Sequence, residues 1–499
     1  MPVPPTHPIT SLGVPPHARL LALIATLTIA FGTSHVTPAS AAAGTAADDT
    51  TLAAPEADVV RPIMGETFRL NGSVGTGQSR EVLLQHFQHG EWQTVQRQEV
   101  ADSGRYSFVV TQPSWRSRWR VLAPAVEGPG SAGAELVSTP RTLFGQGQNV
   151  TTSVQRSVRA GGTVRITLFA SPARPGRQLT LQRNSGDGWK KVTDLRADAT
   201  GHARHVFKTA DVAKTRFRTV ARAHRGAPQF IGRAAAVYAL GKKPVGVMAW
   251  RGDSANYPEN TLEAYRSAVR HRADFIEMDF QPTADGEWVL LHDSDFRRTT
   301  DVEERFPERR TDSPREFTLE EVRSLDAGSW MGTEFEGSRV PTIEEAFDAI
   351  EAAERRYRHR VRLVIELKGE SAAEMQALYR KVVGLRPTWV SKKGHDDKAL
   401  FMSFEARHFD FPGVERTGME KIAVKDEPDP ADDYRRPYAQ VHIHTRLLDA
   451  EHVDRFHRRK AKVGTWPAVG TAAVLRAAVA GVDFVTTDDV AGARRALLR

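Results

Sequence analysis

Glu277 and Asp279 stand two residues apart in the apolar run Phe275-Ile276-Glu277-Met278-Asp279-Phe280. The period of two along a strand puts both carboxylates on one face and Ile276, Met278 and Phe280 on the other. Carboxylates that project side by side repel, and burying them without a cation pushes one of them toward its protonated form. A hard divalent cation, Mg²⁺ or Ca²⁺, removes that conflict, because such ions take oxygen ligands. A third acid, Glu366, shares a predicted strand face with Lys368 in Leu363-Val364-Ile365-Glu366-Leu367-Lys368, pairing a carboxylate for a metal with an ammonium for a phosphate. His292, in Leu291-His292-Asp293, adds an imidazole. Taken singly, each pattern also fits a plainer role. Glu277 and Asp279 could be an exposed polar strand face, His292 a hydrogen-bonded structural imidazole, and Glu366 with Lys368 a surface salt pair.

The order of the motifs says more than any one of them. Trp250-Arg251-Gly252, Pro258-Glu259-Asn260-Thr261, Glu277-Met278-Asp279, His292-Asp293 and Glu366-Leu367-Lys368 follow one another along the chain. In that order they resemble the glycerophosphodiester phosphodiesterase family, whose pattern is His-Arg-Gly, Pro-Glu-Asn-Thr, Glu-x-Asp, His-Asp and a later Glu-x-Lys. The resemblance spans 245–490 and takes in Arg298-Thr299-Thr300, Met402-Ser403-Phe404-Glu405, Gly464-Thr465-Trp466 and Thr486-Thr487-Asp488. It implies a TIM barrel that uses a divalent metal to hydrolyse glycerophosphodiesters or related phosphodiesters, of lipid headgroups or envelope polymers. The products would be an alcohol and a phosphomonoester such as glycerol 3-phosphate. Carried over by position, the resemblance assigns Glu277, Asp279 and Glu366 to the metal, with Glu259 at the same site. It gives Arg251 and Lys368 to the phosphate, His292 to acid/base catalysis beside Arg251, and Trp466 with Trp250 to the walls of the substrate pocket.

One position departs from the family pattern, since its first catalytic histidine aligns with Trp250. An indole donates a hydrogen bond but cannot shuttle a proton. Positioned acid/base groups contribute ~10² to 10⁴ in rate, so their loss leaves a slow enzyme rather than no site. Three outcomes follow. Another histidine substitutes, with His442 and His444 as candidates because Val441-His442-Ile443-His444-Thr445 puts both on one strand face, which could equally be a polar outer face. Alternatively, turnover is confined to substrates with good leaving groups or an internal nucleophile, the latter giving a cyclic phosphate. In the third outcome the barrel is a module that binds phosphodiesters or teichoic-type polymers.

The elements that must position these residues are legible from 243 to 499. Strand-like apolar runs at 245–250, 275–280, 363–367, 400–404, 422–424, 441–443, 463–466 and 484–486 alternate with helical stretches such as 261–273, 342–356 and 471–480. Eight strands alternating with helices fit a parallel (β/α)8 barrel, with an open doubly wound sheet as the alternative. The earlier chain reads as two all-β sandwich modules, 61–144 and 145–242. Arg80 to Gln85 and Arg177 to Gln182 look alike, and each leads at one constant spacing to a tryptophan, Trp92 or Trp189, and then to Gly104 or Gly201. The tryptophans could stack on wall polymer or glycan, or pack their own modules.

The N-terminus reads as a secretory signal peptide, 1–42. His17 and Arg19 precede an apolar run that ends at Phe31, too short to span a bilayer, and small residues follow. A linker at 43–60 leads to the modules, and no later stretch reads as a transmembrane segment. This predicts a secreted protein of the extracellular space or cell envelope. With no cysteine, disulfides and zinc–thiolate sites are excluded. The net charge of +8 comes from arginines scattered among acids, without the compact basic–aromatic run of a nucleic-acid binder.

Overall fold

A computed structural model describes residues 51–75, 79–101, 103–126, 133–369, 371–390, 397–417, 420–425 and 438–498. The expected signal peptide lies outside the described residues. The first module begins inside the expected linker: strand Glu56–Ala57 pairs with Thr67–Ser73, and Ala57 and Val59 pack on the module's core.

Alternation of apolar and polar residues along short strands gives each N-terminal module two sheets over a common core. In the first, Thr67–Ser73 and Arg105–Thr111 pair antiparallel, while Arg80–Gln88 lies between Glu91–Val100 and Arg116–Ala123. Phe68, Leu70, Val82, Leu84, Phe108, Trp119 and Val121 fill the space. The second repeats the plan, with Thr163–Ser171 between Asn149–Val154 and His202–Lys208, and Gln178–Asn184 between Lys190–Arg196 and Ala213–Ala221. The duplication extends to side-chain chemistry. Arg120 Nε donates to Gln85 at 2.7 Å and its guanidinium lies 4.5 Å from the Trp92 ring; Arg218 Nε donates to Gln182 at 2.8 Å and lies 4.2 Å from Trp189. Neither tryptophan belongs to its module's core. Each is half-buried under a guanidinium in a cation–π pair.

Polar ties join the parts. Buried Glu66 of the first module accepts from Arg174 Nε and Nη2 of the second, both at 2.6 Å. The second module reaches the end of the chain through Ser157 Oγ, which donates to the Ala496 carbonyl at 2.8 Å, and Arg159 Nη2, which donates to that of Leu497 at 3.3 Å. Tyr238 and Leu240, on its strand Ala235–Leu240, are part of the hydrophobic cluster around the barrel.

Eight parallel strands then form a ring: Gly246–Ala249, Phe275–Pro282, Arg362–Leu367, Ala399–Ser403, Glu420–Lys425, Tyr438–His444, Lys462–Trp466 and Phe484–Thr487. The first strand pairs with the second and also with the last, Gly246 opposite Phe484 through Ala249 opposite Thr487. That pairing closes the sheet and excludes the open alternative. Outward residues Ile276, Met278 and Phe280 meet Tyr265, Phe347 and Ile350 of the surrounding helices. Inward residues Met248, Phe275, Val364, Leu400, Ile422 and Val424 pack the interior. Helix starts follow local sequence: Thr261 accepts from Ala264 N, and Thr342 with Glu345 forms a capping box. We expect Phe347→Ala, whose ring lies 4.6 Å from Trp389 in this outer layer, to cost about 3–5 kcal/mol of barrel stability. A lower urea midpoint by circular dichroism would show it, and an unchanged midpoint would contradict the packing.

Candidate active site

The strands present their C-terminal ends to one mouth, and the second and third bring the acids there. Asp279 lies in register with Glu366, and Glu277 with Val364. Glu277, Asp279 and Glu366 are all buried, and one ligand oxygen from each lies within 4.8 Å of the others. Around them the first strand ends in a tight turn. Arg251 has φ +57° and Gly252 φ +85°, and a Cβ on Gly252 would come 2.6 Å from that of Ala264. The turn aims the Arg251 amide at Glu277 Oε2, 2.8 Å away, and its side chain at Glu259 Oε1, 2.9 Å, and Asp279 Oδ2, 3.4 Å. Asn260 Nδ2 donates to Asp279 Oδ2 at 2.8 Å, with the amide oxygen of Asn260 held by the Tyr265 hydroxyl. Lys368 bonds Glu366 and lies 3.2 Å from Asp279 Oδ1.

Burial, together with repulsion from Asp279 and Glu366, raises the Glu277 carboxyl well above its ordinary range. Burial and Asp279 also raise Glu366, against the pull of Lys368. Asp279 goes the other way: burial opposes its ionisation, but Lys368, His292, Arg251 and the Asn260 amide hold it low. Glu277 Oε1 and Asp279 Oδ1 are buried without a hydrogen-bond donor among the described residues. Three hard oxygen donors at this mutual distance fit a cation bound at ~2.1–2.5 Å, which would supply the missing partner. Glu259 was expected beside them but places its oxygens on arginine: Arg298 Nη1 and Nη2 donate to it at 2.7 Å each, in addition to Arg251. Its oxygens are thus engaged by Arg251 and Arg298, and the three acids whose oxygens converge are Glu277, Asp279 and Glu366.

His292 is partly exposed at the mouth, and its Nδ1 lies 2.6 Å from Asp293 Oδ1. Arg298 Nε holds the other carboxylate oxygen of Asp293 at 2.5 Å. Gln281 donates to the carbonyls of Leu291 and Asp293 at 3.0 and 2.6 Å, fixing the loop from the second strand. With Nδ1–H donated to Asp293, the imidazole Nε2 is left for a ligand. Sequence reasoning quoted Asn260, Asp293 and Arg298 within the family motifs but gave none of them a role.

Arg251, Glu277, His292, Glu366, Lys368, Trp250, Trp466 and His442 line one cleft. The Trp250 ring lies 4.5 Å from the Arg251 guanidinium carbon. His442 is buried inside the barrel rather than on a polar outer face, and burial lowers its pKa to about 4. Its Nε2 is 3.1 Å from Gln440 Oε1. Gly464, opposite it in register, leaves room for the ring: a Cβ there would come 2.5 Å from His442 Nε2. His444 packs edge-on to Trp466 at 5.0 Å. We expect Mg²⁺ or Ca²⁺ to bind with an affinity that rises with pH above the ordinary carboxyl range of ~4.3, because a carboxyl held protonated at Glu277 competes with the cation. Calorimetric titration of wild type, Glu277→Gln and Asp279→Asn measures this. Metal affinity surviving in both variants would remove the acid cluster as the binding site.

A family model described as the glycerophosphoryl diester phosphodiesterase family matches residues 251–491. A glycerophosphodiester phosphodiesterase of Caldanaerobacter subterraneus subsp. tengcongensis is 45% identical over 104 residues, 21% of this chain and 40% of that protein. One of Bacillus subtilis is 36% identical over 109 residues, 20% of this chain and 34% of that protein. The chain spans less than half the length of the curated relatives it matches. Among solved structures, an Oleispira antarctica phosphodiesterase in complex with the product sn-glycerol-3-phosphate is similar at 25% identity over 51% of this chain and 98% of that one, with a TM-score of 0.45. Residues 251–491, which hold the acid cluster, Arg251, His292 and Lys368, are a domain of the glycerophosphoryl diester phosphodiesterase family.

Proposed function

We propose that the barrel hydrolyses glycerophosphodiesters or related phosphodiesters of lipid headgroups or envelope polymers, with a divalent metal, to an alcohol and a phosphomonoester such as glycerol 3-phosphate. The observation that carries this reading is the buried acid cluster, with Glu277 Oε1 and Asp279 Oδ1 lacking a hydrogen-bond donor among the described residues, beside Arg251 and Lys368 in one cleft. Glu277, Asp279 and Glu366 would hold the cation, which when bound supplies charge to neutralise the phosphoryl oxygens. Arg251 and Lys368 orient the diester, and Arg251 is kept rigid by Glu259. His292 Nε2, set by Asp293, moves the proton at the attacking or leaving oxygen.

Trp250 stands where the family pattern places a histidine, so a single proton carrier serves the cleft unless His442 acts as the second. His442 lines the same cleft, but burial lowers its pKa to about 4, which makes it a weak proton acceptor at physiological pH. The second reading, a barrel that binds phosphodiesters without cleaving them, is favoured by Trp250, whose ring face is taken up by Arg251. Secretion is proposed from the sequence of 1–42. The repeated modules, proposed to be β-sandwiches, would meet an anionic wall polymer through Arg118 and Arg120 and their counterparts Arg216 and Arg218, which flank the two tryptophans.

The test is turnover of glycerophosphocholine, glycerophosphoethanolamine and bis(p-nitrophenyl) phosphate by the full chain, with Mg²⁺ or Ca²⁺ and with chelator. We expect metal-dependent product formation that falls ~10²- to 10⁴-fold in His292→Ala. Activity in His442→Gln decides whether that residue replaces the missing carrier: a comparable fall assigns it the role, and an unchanged rate denies it. A silent wild type with activity gained in Trp250→His would assign the barrel to binding.

A further inference from the structure

The cleft is chemically divided. Its charged groups, Arg251, Glu277, His292, Glu366 and Lys368, come from the ends of the first three strands and the loop carrying His292. Among the described residues the rest of the wall is mostly apolar: Met402 and Phe404 from the fourth strand and its end, Val424 from the fifth, Trp466 from the seventh, and Met248 and Trp250 from the first. Because these strands follow one another round the ring, the apolar side chains form a continuous surface facing the charges. Few polar groups interrupt it. Thr486 Oγ1 is turned to Met248 Sδ at 3.5 Å, His442 Nε2 meets Gln440, and the Trp466 indole Nε1 is buried with no partner among the described residues.

The hydroxyls of a glycerol placed against this wall would find one indole donor and no acceptor on the aromatic faces, and an unpaired buried hydroxyl costs binding. A cationic headgroup fares no better. Arg251 already lies 4.5 Å from the Trp250 ring, and Lys368 Nζ lies 5.7 Å from that of Phe404, so a further cation at these rings meets positive charge. An apolar group meets neither objection. Phe404 is 39% exposed at the rim and packs edge-on to Trp466 at 5.2 Å, so the apolar surface continues from the cleft floor to solvent.

Building on the phosphodiester reading above, we infer that the cleft selects phosphodiesters that carry an apolar group on one ester arm, with Trp250, Phe404 and Trp466 as specificity-determining residues. The phosphoryl group lies on the charged side, and the apolar arm runs along Phe404 toward the rim.

Glycerophosphoethanolamine and its 1-hexanoyl ester share a headgroup and differ only in an apolar chain short enough to stay monomeric in water. With Mg²⁺ present, we expect the full chain to favour the hexanoyl ester by about tenfold or more in kcat/KM, the scale a hydrophobic pocket gives for added methylenes. That preference should shrink about tenfold in Phe404→Ala, mainly through KM, and return in Phe404→Tyr. Calorimetric binding of both diesters to the wild type runs alongside. If neither is turned over but the ester binds more tightly, the cleft is apolar-selective and the hydrolysis reading falls. Turnover of both with no preference for the ester, or a preference that Phe404→Ala leaves intact, overturns this inference and leaves the hydrolysis reading standing. Neither turnover nor binding of either diester overturns both.

Discussion

Three carboxylates buried at one end of a closed barrel set the terms for everything around them. In a low-dielectric interior their mutual repulsion must be balanced, and the neighbouring chain is arranged to do so. The left-handed turn at Arg251 brings in an amide and a guanidinium, Asn260 brings in an amide, and Lys368 brings an ammonium from just past the strand that carries Glu366. Even so, two oxygens remain without donors among the described residues. The protein's own donors thus satisfy the acid cluster only in part. In the proposed function, a hard cation and a phosphate diester would complete it.

How much of this was legible in the sequence divides along physical lines. The strand alternation that separates Glu277 and Asp279 from Ile276, Met278 and Phe280 is a local property, and it holds in the fold. So do all eight barrel strands, because runs of buried β-branched and aromatic residues between amphipathic helices leave few other arrangements. The closing pair between the first and last strands depends on contacts across the whole domain, and no local pattern announces it. The same holds for the role of Glu259. Its motif suggested a place among the cation ligands, whereas its geometry depends on Arg298, far along the chain, reaching back to it. Trp92 and Trp189 were open between ligand platform and core, and neither alternative foresaw the arginine that covers each from across an intervening strand.

His442 shows the limit of period-two reasoning most clearly. The pattern put His442 and His444 on one face, which is correct, but could not say which face. The answer lies in the flanking residues: Val441 and Ile443 belong to the layer between sheet and helices, so the histidines turn inward. Apolar neighbours on an alternating strand are thus a better guide to the orientation of a polar residue than the residue itself.

The fit of His442 against Gly464 carries an evolutionary consequence. Since the space above one residue is filled by the ring of the other, the two positions are not free to vary one at a time. A lineage that enlarged position 464 first would force the neighbouring strands apart at the floor of the cleft, whereas one that first shortened position 442 could then fill the vacancy from the other side. The order of change is constrained, and a side chain at 464 together with a small residue at 442 is the combination by which a differently shaped cleft would be reached on this scaffold.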